Sequence, residues 1–191
     1  MTPSNLNDVF SQNIRTTSGI GLLFIDLLTR CRVRINGKIS YDSGRWPIQI
    51  EQAYPNCPKY IQRRQLVTEK ADHRESPKEI RLWIEKADTI FVGSTDCQGN
   101  LDMSHRGGET DFITFLDERA IRLPDYEGNS MFNMLGNFHI NPIAGILIID
   151  YSNGETVQFS GKAVFFNYEL PLRWLIVLSS DFSNFFNQNL M

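Results

Sequence analysis

The chain lacks the features that would commit it to a disulfide scaffold, a metal, a membrane or a nucleic acid. Its 191 residues hold three cysteines and no Cys-x-x-Cys pair. That odd count argues against a disulfide framework and points to a reducing, cytoplasmic setting. His73, His105 and His139 show neither HxxxH nor HExxH spacing, so no metal site is expected. Lys+Arg is 19 and Asp+Glu is 22, a net charge of −3 with no basic block. This speaks against broad contact with a phosphate backbone, and no nucleic-acid partner is expected. The longest apolar runs, Ile20–Ile25, Ile143–Ile149 and Leu170–Leu178, are strand-length and fall short of the roughly 18 residues a membrane helix needs. Met1-Thr2-Pro3-Ser4-Asn5 has no basic-then-apolar export pattern, so neither a membrane nor a secretory route is expected. A GxSxG elbow, a P-loop and a dinucleotide glycine fingerprint are also missing.

What is present is a globular composition, 41% hydrophobic and 21% charged, with 13 Phe to fill a core. It also contains a repeat. Gly21-Leu22-Leu23-Phe24-Ile25-Asp26 matches Gly145-Ile146-Leu147-Ile148-Ile149-Asp150 at an offset of 124, and the register carries Asn13 to Asn137, Val33 to Val157, Gly37 to Gly161 and Lys38 to Lys162. Each copy reads as a β-hairpin. In the second, Asn153-Gly154 supplies the turn and Thr156–Ser160 alternates with period two. In the first, Arg32-Val33-Arg34-Ile35-Asn36 alternates likewise. Its basic side, Arg30, Arg32 and Arg34, is either a solvated strand face or an anion-facing patch.

Between the copies, Gln65–Ser76 is charged and irregular. Ser76-Pro77-Lys78-Glu79 reads as a helix start with a capping box, followed by an apolar face of Ile80, Trp83, Ile84 and Ala87. Strands are expected at Thr89–Ser94, from Leu101, and at Phe112–Leu116 and Ala120–Leu123. A second helix is expected over Ser130–Ile140, stopped by Asn141-Pro142. This order gives antiparallel β with flanking helices, closed as a small barrel or a strongly curved sheet. Arg63 and Arg64, with Lys59 and Lys70, read as a solvated helix face, the alternatives being anion recognition within a flavin dimer or a partner surface.

Two segments carry possible binding chemistry. Asp102-Met103-Ser104-His105-Arg106-Gly107-Gly108 combines phosphate donors with glycines that admit close backbone approach. Leu123–Ser130 leads into a helix N-terminus that offers free backbone N–H groups. Cys57 reads as a structural thiol, not as a nucleophile.

These segments, with Phe132-Asn133, Leu135-Gly136-Asn137, Asn141-Pro142 and Gly145–Asp150, resemble the pyridoxamine 5'-phosphate oxidase-like, FMN-binding split-barrel family, in particular its predicted flavin-nucleotide-binding branch with an Arg-Gly-Gly motif. Asn56-Cys57-Pro58-Lys59-Tyr60-Ile61-Gln62 resembles a segment of longer members. The resemblance implies a mainly β, antiparallel split β-barrel and a homodimer with FMN near its interface. It places Ser104, His105, Arg106 and Gly107 at the phosphate or ring edge, Asn129 and Asn133 at the phosphate or ribityl chain, and Lys59 and Gln62 nearby. Ser130 and Met134 depart from the family pattern. The resemblance also implies a shortened first repeat, so the chain divides into a partial first barrel repeat over 1–64, a linker over 65–76, and an FMN-binding split-barrel domain over 77–191 with a divergent tail. The implied activity is an FMN-dependent oxidoreductase acting on an unidentified small-molecule substrate or electron donor, with no catalytic acid or base identified. The alternatives are a non-catalytic flavin binder and a structural relic that holds no flavin.

Overall fold

The computed structural model describes residues 9–65, 79–126, 133–167, 173–178 and 186–189, with side chains described for residues 12–65, 79–126 and 133–164. The elements are α1 (Val9–Thr16), β1 (Gly19–Asp26), β2 (Cys31–Ile39), β3 (Ile48–Pro55), α2 (Ile80–Lys86), β4 (Thr89–Thr95), β5 (Leu101–Gly107), β6 (Thr114–Asp117), β7 (Ala120–Asp125), α3 (Asn133–Ile140), β8 (Ile143–Ile149), β9 (Glu155–Asn167), β10 (Arg173–Leu178) and β11 (Phe186–Asn189). β1–β3 form one antiparallel sheet. The larger sheet runs β5-β4-β8-β9-β10-β7-β6, and β11 pairs with β9. Its ladders are antiparallel throughout.

The larger sheet curls around one core. Ile90 and Val92 of β4, Ile121 and Leu123 of β7, Ile146 and Ile148 of β8, and Val157 and Phe159 of β9 meet there with Trp83 and Ile84 of α2 and Met134 and Phe138 of α3. The alternation expected over Thr156–Ser160 holds from Val157 on, with Val157 and Phe159 buried and Gln158 and Ser160 exposed, but Thr156, on the side expected to be wet, is buried. Among the described residues no ladder joins β5 to β6, so the curl stays split. This is the mainly β, antiparallel split barrel expected from the sequence.

The repeat extends beyond the hairpins. α1 and α3 end at Thr16 and Ile140, β1 and β8 begin at Gly19 and Ile143, and β2 and β9 begin at Cys31 and Glu155, always 124 residues apart. The ladders agree residue by residue: Leu22 pairs with Ile35 as Ile146 pairs with Phe159, and Phe24 pairs with Val33 as Ile148 pairs with Val157.

Several local expectations are corrected. α2 starts at Ile80 with Glu79 at its cap and no side-chain capping bond, while Ser76, Pro77 and Lys78 lie outside the described residues, as do Ser130–Phe132 of the second expected helix. Phe112 and Ile113 are buried core residues ahead of β6 instead of strand residues. Arg64 lies outside any helix; its guanidinium sits 4.1 Å over the Tyr151 ring and 2.5 Å from Asp88.

Candidate functional site: a buried arginine layer between the two sheets

β5 is an edge strand of the larger sheet, and the β1–β3 sheet packs against it. The approach is close because two glycines permit it. A Cβ at Gly21 would lie 3.0 Å from the Leu101 carbonyl oxygen, and one at Gly19 would collide with the carbonyl of Gly99. With backbones that near, side chains of β2 and β5 meet in the junction, out of water.

The alternation of β2 is the reverse of a conventional wet face. Arg32 and Arg34 are 7% and 5% exposed, whereas Val33 between them is 40% exposed. The basic side of this strand is therefore buried, and the solvated-face reading is wrong for these two residues; Arg30, in the turn before β2, is exposed. The anion-facing alternative holds within the chain itself. Arg34 Nη1 donates to Asp102 Oδ2 at 2.9 Å. The same carboxylate accepts from Asn36 Nδ2 at 3.3 Å, Tyr54 OH at 3.5 Å and Ser104 Oγ at 3.3 Å. Burial, and then the Asp102 charge, push the Tyr54 phenol above its ordinary value.

His105 lies beside this network and is 3% exposed. Its Nδ1 is 3.2 Å from Arg32 Nη1, and its ring meets Phe91 edge-on. Burial, followed by the charges of Arg32 and Arg106, lowers its pKa to about 3. The ring is then neutral near pH 7, with Nδ1 free to accept from Arg32. Burial and the neighbouring Arg34 in turn bring the Arg32 guanidinium down to about 10. Arg106, 7% exposed, pairs with Asp125 at 3.0 Å and lies 3.9 Å from the Met134 sulfur. Asp125 stands at the end of β7, so this pair ties the segment after β7 to the Arg-Gly-Gly segment.

The layer thus holds three buried guanidiniums, Arg32, Arg34 and Arg106, against two buried carboxylates, Asp102 and Asp125. Arg32 Nε, Arg34 Nε and His105 Nε2 are buried with no hydrogen-bond partner among the described residues. A surplus cation with unfilled donors is costly in a dry interior, and an anion relieves that cost.

The residues singled out in sequence come together only in part. Ser104, His105 and Arg106 are in the layer. Gly107 is a glycine because a Cβ there would collide with the Tyr60 carbonyl oxygen. Gln62 Nε2 donates to the Gly108 carbonyl at 2.7 Å, so the Asn56–Gln62 segment is seated on the Arg-Gly-Gly segment. Tyr60 in turn stacks on Tyr126 with ring centroids 4.9 Å apart. Lys59 and Cys57 are exposed. Asn133 donates to the Tyr54 hydroxyl at 2.6 Å. Asn129 and Ser130 lie outside the described residues. Met134, where a small hydroxyl residue was the family pattern, is a core residue, 1% exposed.

Asn36 and Asp102 at the edge of the layer also line a cleft of about 380 Å³, together with Gln52, Asn133, Asn137 and the acidic Glu51 and Asp96, while Arg32, Arg34 and Arg106 stand behind its wall. A larger cleft of about 620 Å³ lies by Arg64, Trp83, Thr89 and Tyr151. The sequence reading missed Arg34, Asp102, Tyr54 and Asp125 as partners. Alternating Arg residues on one strand and an Asp on another were visible, but their meeting depends on which face of β2 is turned inward.

Among the described residues no group of three His, Cys, Asp or Glu side chains can hold a metal ion, and no helix is long and apolar enough to cross a membrane. No protein-family model and no curated protein matches the chain. Solved structures do. HupZ from Group A Streptococcus is 13% identical, with 59% of this chain and 94% of that chain covered and a TM-score of 0.45. HutZ, described as a heme storage protein from Vibrio cholerae, is 12% identical over 56% of this chain and 90% of its own, with a TM-score of 0.43. A Clostridium acetobutylicum protein of the pyridoxinephosphate oxidase family, related to a general stress protein, is 8% identical over 58% and 92%, with a TM-score of 0.38. Each of these matches spans a little more than half of the chain.

Proposed function

We propose that the arginine layer and its adjoining cleft bind FMN, and that the chain serves as a flavin-dependent oxidoreductase. The observation that supports this most directly is the buried cation surplus: Arg32 meets only a neutral imidazole in its closest polar contact, and Nε of both Arg32 and Arg34 goes unfilled. The donor set suits a phosphate, because guanidinium N–H groups bond phosphate oxygens in pairs and their charge opposes its own. The side-chain amides of Asn36, Gln52, Asn133 and Asn137 on the cleft suit a hydroxylated chain, since each amide both donates and accepts. Bound flavin would supply the electron transfer, and the protein's part is to hold and orient it. His105 does not serve as an imidazolium proton donor near pH 7, because burial, and after it the neighbouring cations, keep it neutral. Its service is to hold Arg32 through Nδ1.

One observation favours a second reading. Arg106 is paired with Asp125, Gly107 is filled by Tyr60, and the Gly108 carbonyl is taken by Gln62. The Arg-Gly-Gly segment therefore also serves as internal glue between sheets, as a structural module without flavin would use it.

A titration of the purified full chain with FMN, followed by flavin absorbance and fluorescence, separates the two. Flavin binding requires a saturable perturbation of the flavin spectrum that Arg32→Ala weakens at least about tenfold, the loss of one charge-assisted contact. No uptake of FMN by the wild-type chain supports the structural reading. Oxidation of a reduced nicotinamide by the FMN-loaded chain separates an oxidoreductase from a passive flavin binder.

A further inference from the structure

β2 begins with an exposed cysteine, and a second exposed cysteine follows the end of β3. Between them runs an antiparallel ladder in which Ile35 pairs with Ala53, Arg34 with Tyr54 and Val33 with Pro55. The same register carried two residues further sets Cys31 opposite Cys57. Three observations carry it that far. The Asn56 N–H donates to the Arg32 carbonyl at 3.2 Å, so the chains still pair one step beyond Pro55. Exposure goes on alternating: Arg32 and Arg34 are buried with Cys31 and Val33 exposed, and Tyr54 and Asn56 are half-buried with Pro55 and Cys57 exposed. Cys57 also precedes Pro58, which keeps it in extended backbone. Both thiols therefore stand on the outward face of the sheet, away from the arginine layer.

Their place in the ladder suits a bond between them. Opposed residues of an antiparallel pair alternate between those that exchange backbone hydrogen bonds and those that do not. Arg32 and Asn56 are bonded, and Pro55 has no N–H to give. Cys31 and Cys57 then fall, like Val33 and Pro55, in the class without hydrogen bonds, where Cα atoms lie about 4.5 Å apart and side chains come closest. A disulfide takes Cα separations of roughly 4.4–6.8 Å. On its other side Cys31 is opposite Asp26, whose carboxylate is taken by the Leu28 N–H and the Thr29 hydroxyl. Cys97 is remote. It lies in the turn before β5, and that turn meets the far end of β2, where Lys38 Nζ is 3.2 Å from Asn100 Oδ1. From Lys38 back to Cys31 is about 23 Å of extended strand.

We propose that Cys31 and Cys57 are a modification site, oxidised to a reversible intramolecular disulfide by a low-molecular-weight disulfide of the glutathione type. One protein thiolate attacks a sulfur of the small disulfide, forms a mixed disulfide and releases one small thiol. The second protein thiolate attacks the protein sulfur of that mixed disulfide, closes the Cys31–Cys57 bond and releases the other small thiol. Two protein thiols are oxidised, the small disulfide is reduced to two thiols, and the protons of the protein thiols end on them. The bond ties β2, beside Arg32, to the head of the Asn56–Gln62 segment, which rests on the Gly108 carbonyl through Gln62. It needs no flavin.

The test holds the folded, flavin-free full chain in mixtures of reduced and oxidised glutathione. There a mixed disulfide on an isolated thiol is reversed, while an intramolecular bond between opposed thiols persists. Free thiols are titrated, and linked peptides are mapped by mass spectrometry. The expected result is a fall from three free thiols to one, a single-chain mass lower by two hydrogens, and a Cys31–Cys57 peptide pair that dithiothreitol reverses. Cys97→Ser should keep the link, whereas Cys31→Ser and Cys57→Ser should each leave both remaining thiols free. In concentrated urea the selectivity should vanish, because the register that opposes the pair is gone. Three free thiols in the wild type at every glutathione ratio, a link through Cys97 or between chains, or the same selectivity in urea as in the folded chain overturns the inference.

Discussion

Arg34 and Asp102 sit 68 residues apart in sequence and 2.9 Å apart in space, with both side chains nearly sealed from water. They join the β1–β3 sheet to the edge of the larger one. The desolvation cost of such a pair is met only while both partners remain. Arg34→Met is expected to destabilise the chain by about 3–5 kcal/mol, the usual cost of leaving one buried charge unpaired. Arg34→Met combined with Asp102→Leu should cost clearly less than the two single changes together. Urea unfolding of all four proteins in a double-mutant cycle measures this coupling; strict additivity would mean the pair does not hold the junction.

His105 makes stability depend on pH in a definite direction. Its folded pKa is about 3, against about 6.5 for an unfolded histidine. Between those values the unfolded chain binds the proton and the folded chain does not, so the contribution is full above about pH 6.5 and is lost as pH falls toward 3. The slope from this one residue is about 1.4 kcal/mol per pH unit in that window. Urea midpoints taken from pH 7 to pH 5 should fall steeply for the wild type and less steeply for His105→Gln. Equal slopes would place the titration elsewhere.

Gly107 tests whether the double glycine serves the fold. Any Cβ there meets the backbone carbonyl of Tyr60, which cannot swing aside as a side chain can, and it also comes within 3.0 Å of the His105 ring. Gly107→Ala should cost about 2 kcal/mol or more, as overpacking against backbone does. It should also loosen the Asn56–Gln62 segment, read as faster amide exchange at Ile61, whose N–H bonds the Pro58 carbonyl at 3.3 Å. By contrast, Gly136 has open space around its would-be Cβ, and Gly136→Ala should be neutral or mildly stabilising, because alanine is the better helix former.

Much of the architecture was legible because it rests on local pattern. The hairpins of both copies, the strands from Thr89 and Leu101, and the helix around Trp83 follow from period, turn residues and apolar spacing. The offset of 124 foretold a shared register that the ladders keep. What could not be read was which face of a strand is buried. The period of Arg32-Val33-Arg34 separates two faces but says nothing of what covers either, and here the apolar one is turned outward. The pairs Arg34–Asp102 and Arg106–Asp125 were hidden for the same reason: each joins strands whose meeting is set by the packing of whole sheets. α1 and β3 were missed as well. The helix is short, and β3 is exposed at seven of its eight residues and bulged against Asn36 and Gly37, so the alternation that marks a half-buried strand is weak.

Arg32 sets stability against binding. It is buried, and its polar contact is with a neutral imidazole, not a carboxylate. Burial, first among the causes, lowers its pKa to about 10, the mark of a cation held at a cost. Replacing buried charged groups by neutral ones of similar volume is often neutral or stabilising by up to about 4 kcal/mol, and Arg32 has no carboxylate partner that its loss would leave unpaired. Arg32→Gln keeps hydrogen-bonding capacity toward His105 Nδ1, and it should raise the unfolding free energy of the flavin-free chain, measured by urea unfolding, by an amount within that range. Under the proposed function the same change removes a phosphate donor, so FMN affinity should fall about tenfold or more. A stabilised chain with weakened flavin binding is what a site that stores strain for its ligand produces. A stabilised chain with unaltered FMN affinity would remove Arg32 from the binding site and leave the layer as sheet-to-sheet glue. A destabilised one would show that the Arg32–His105 contact repays the burial of its charge.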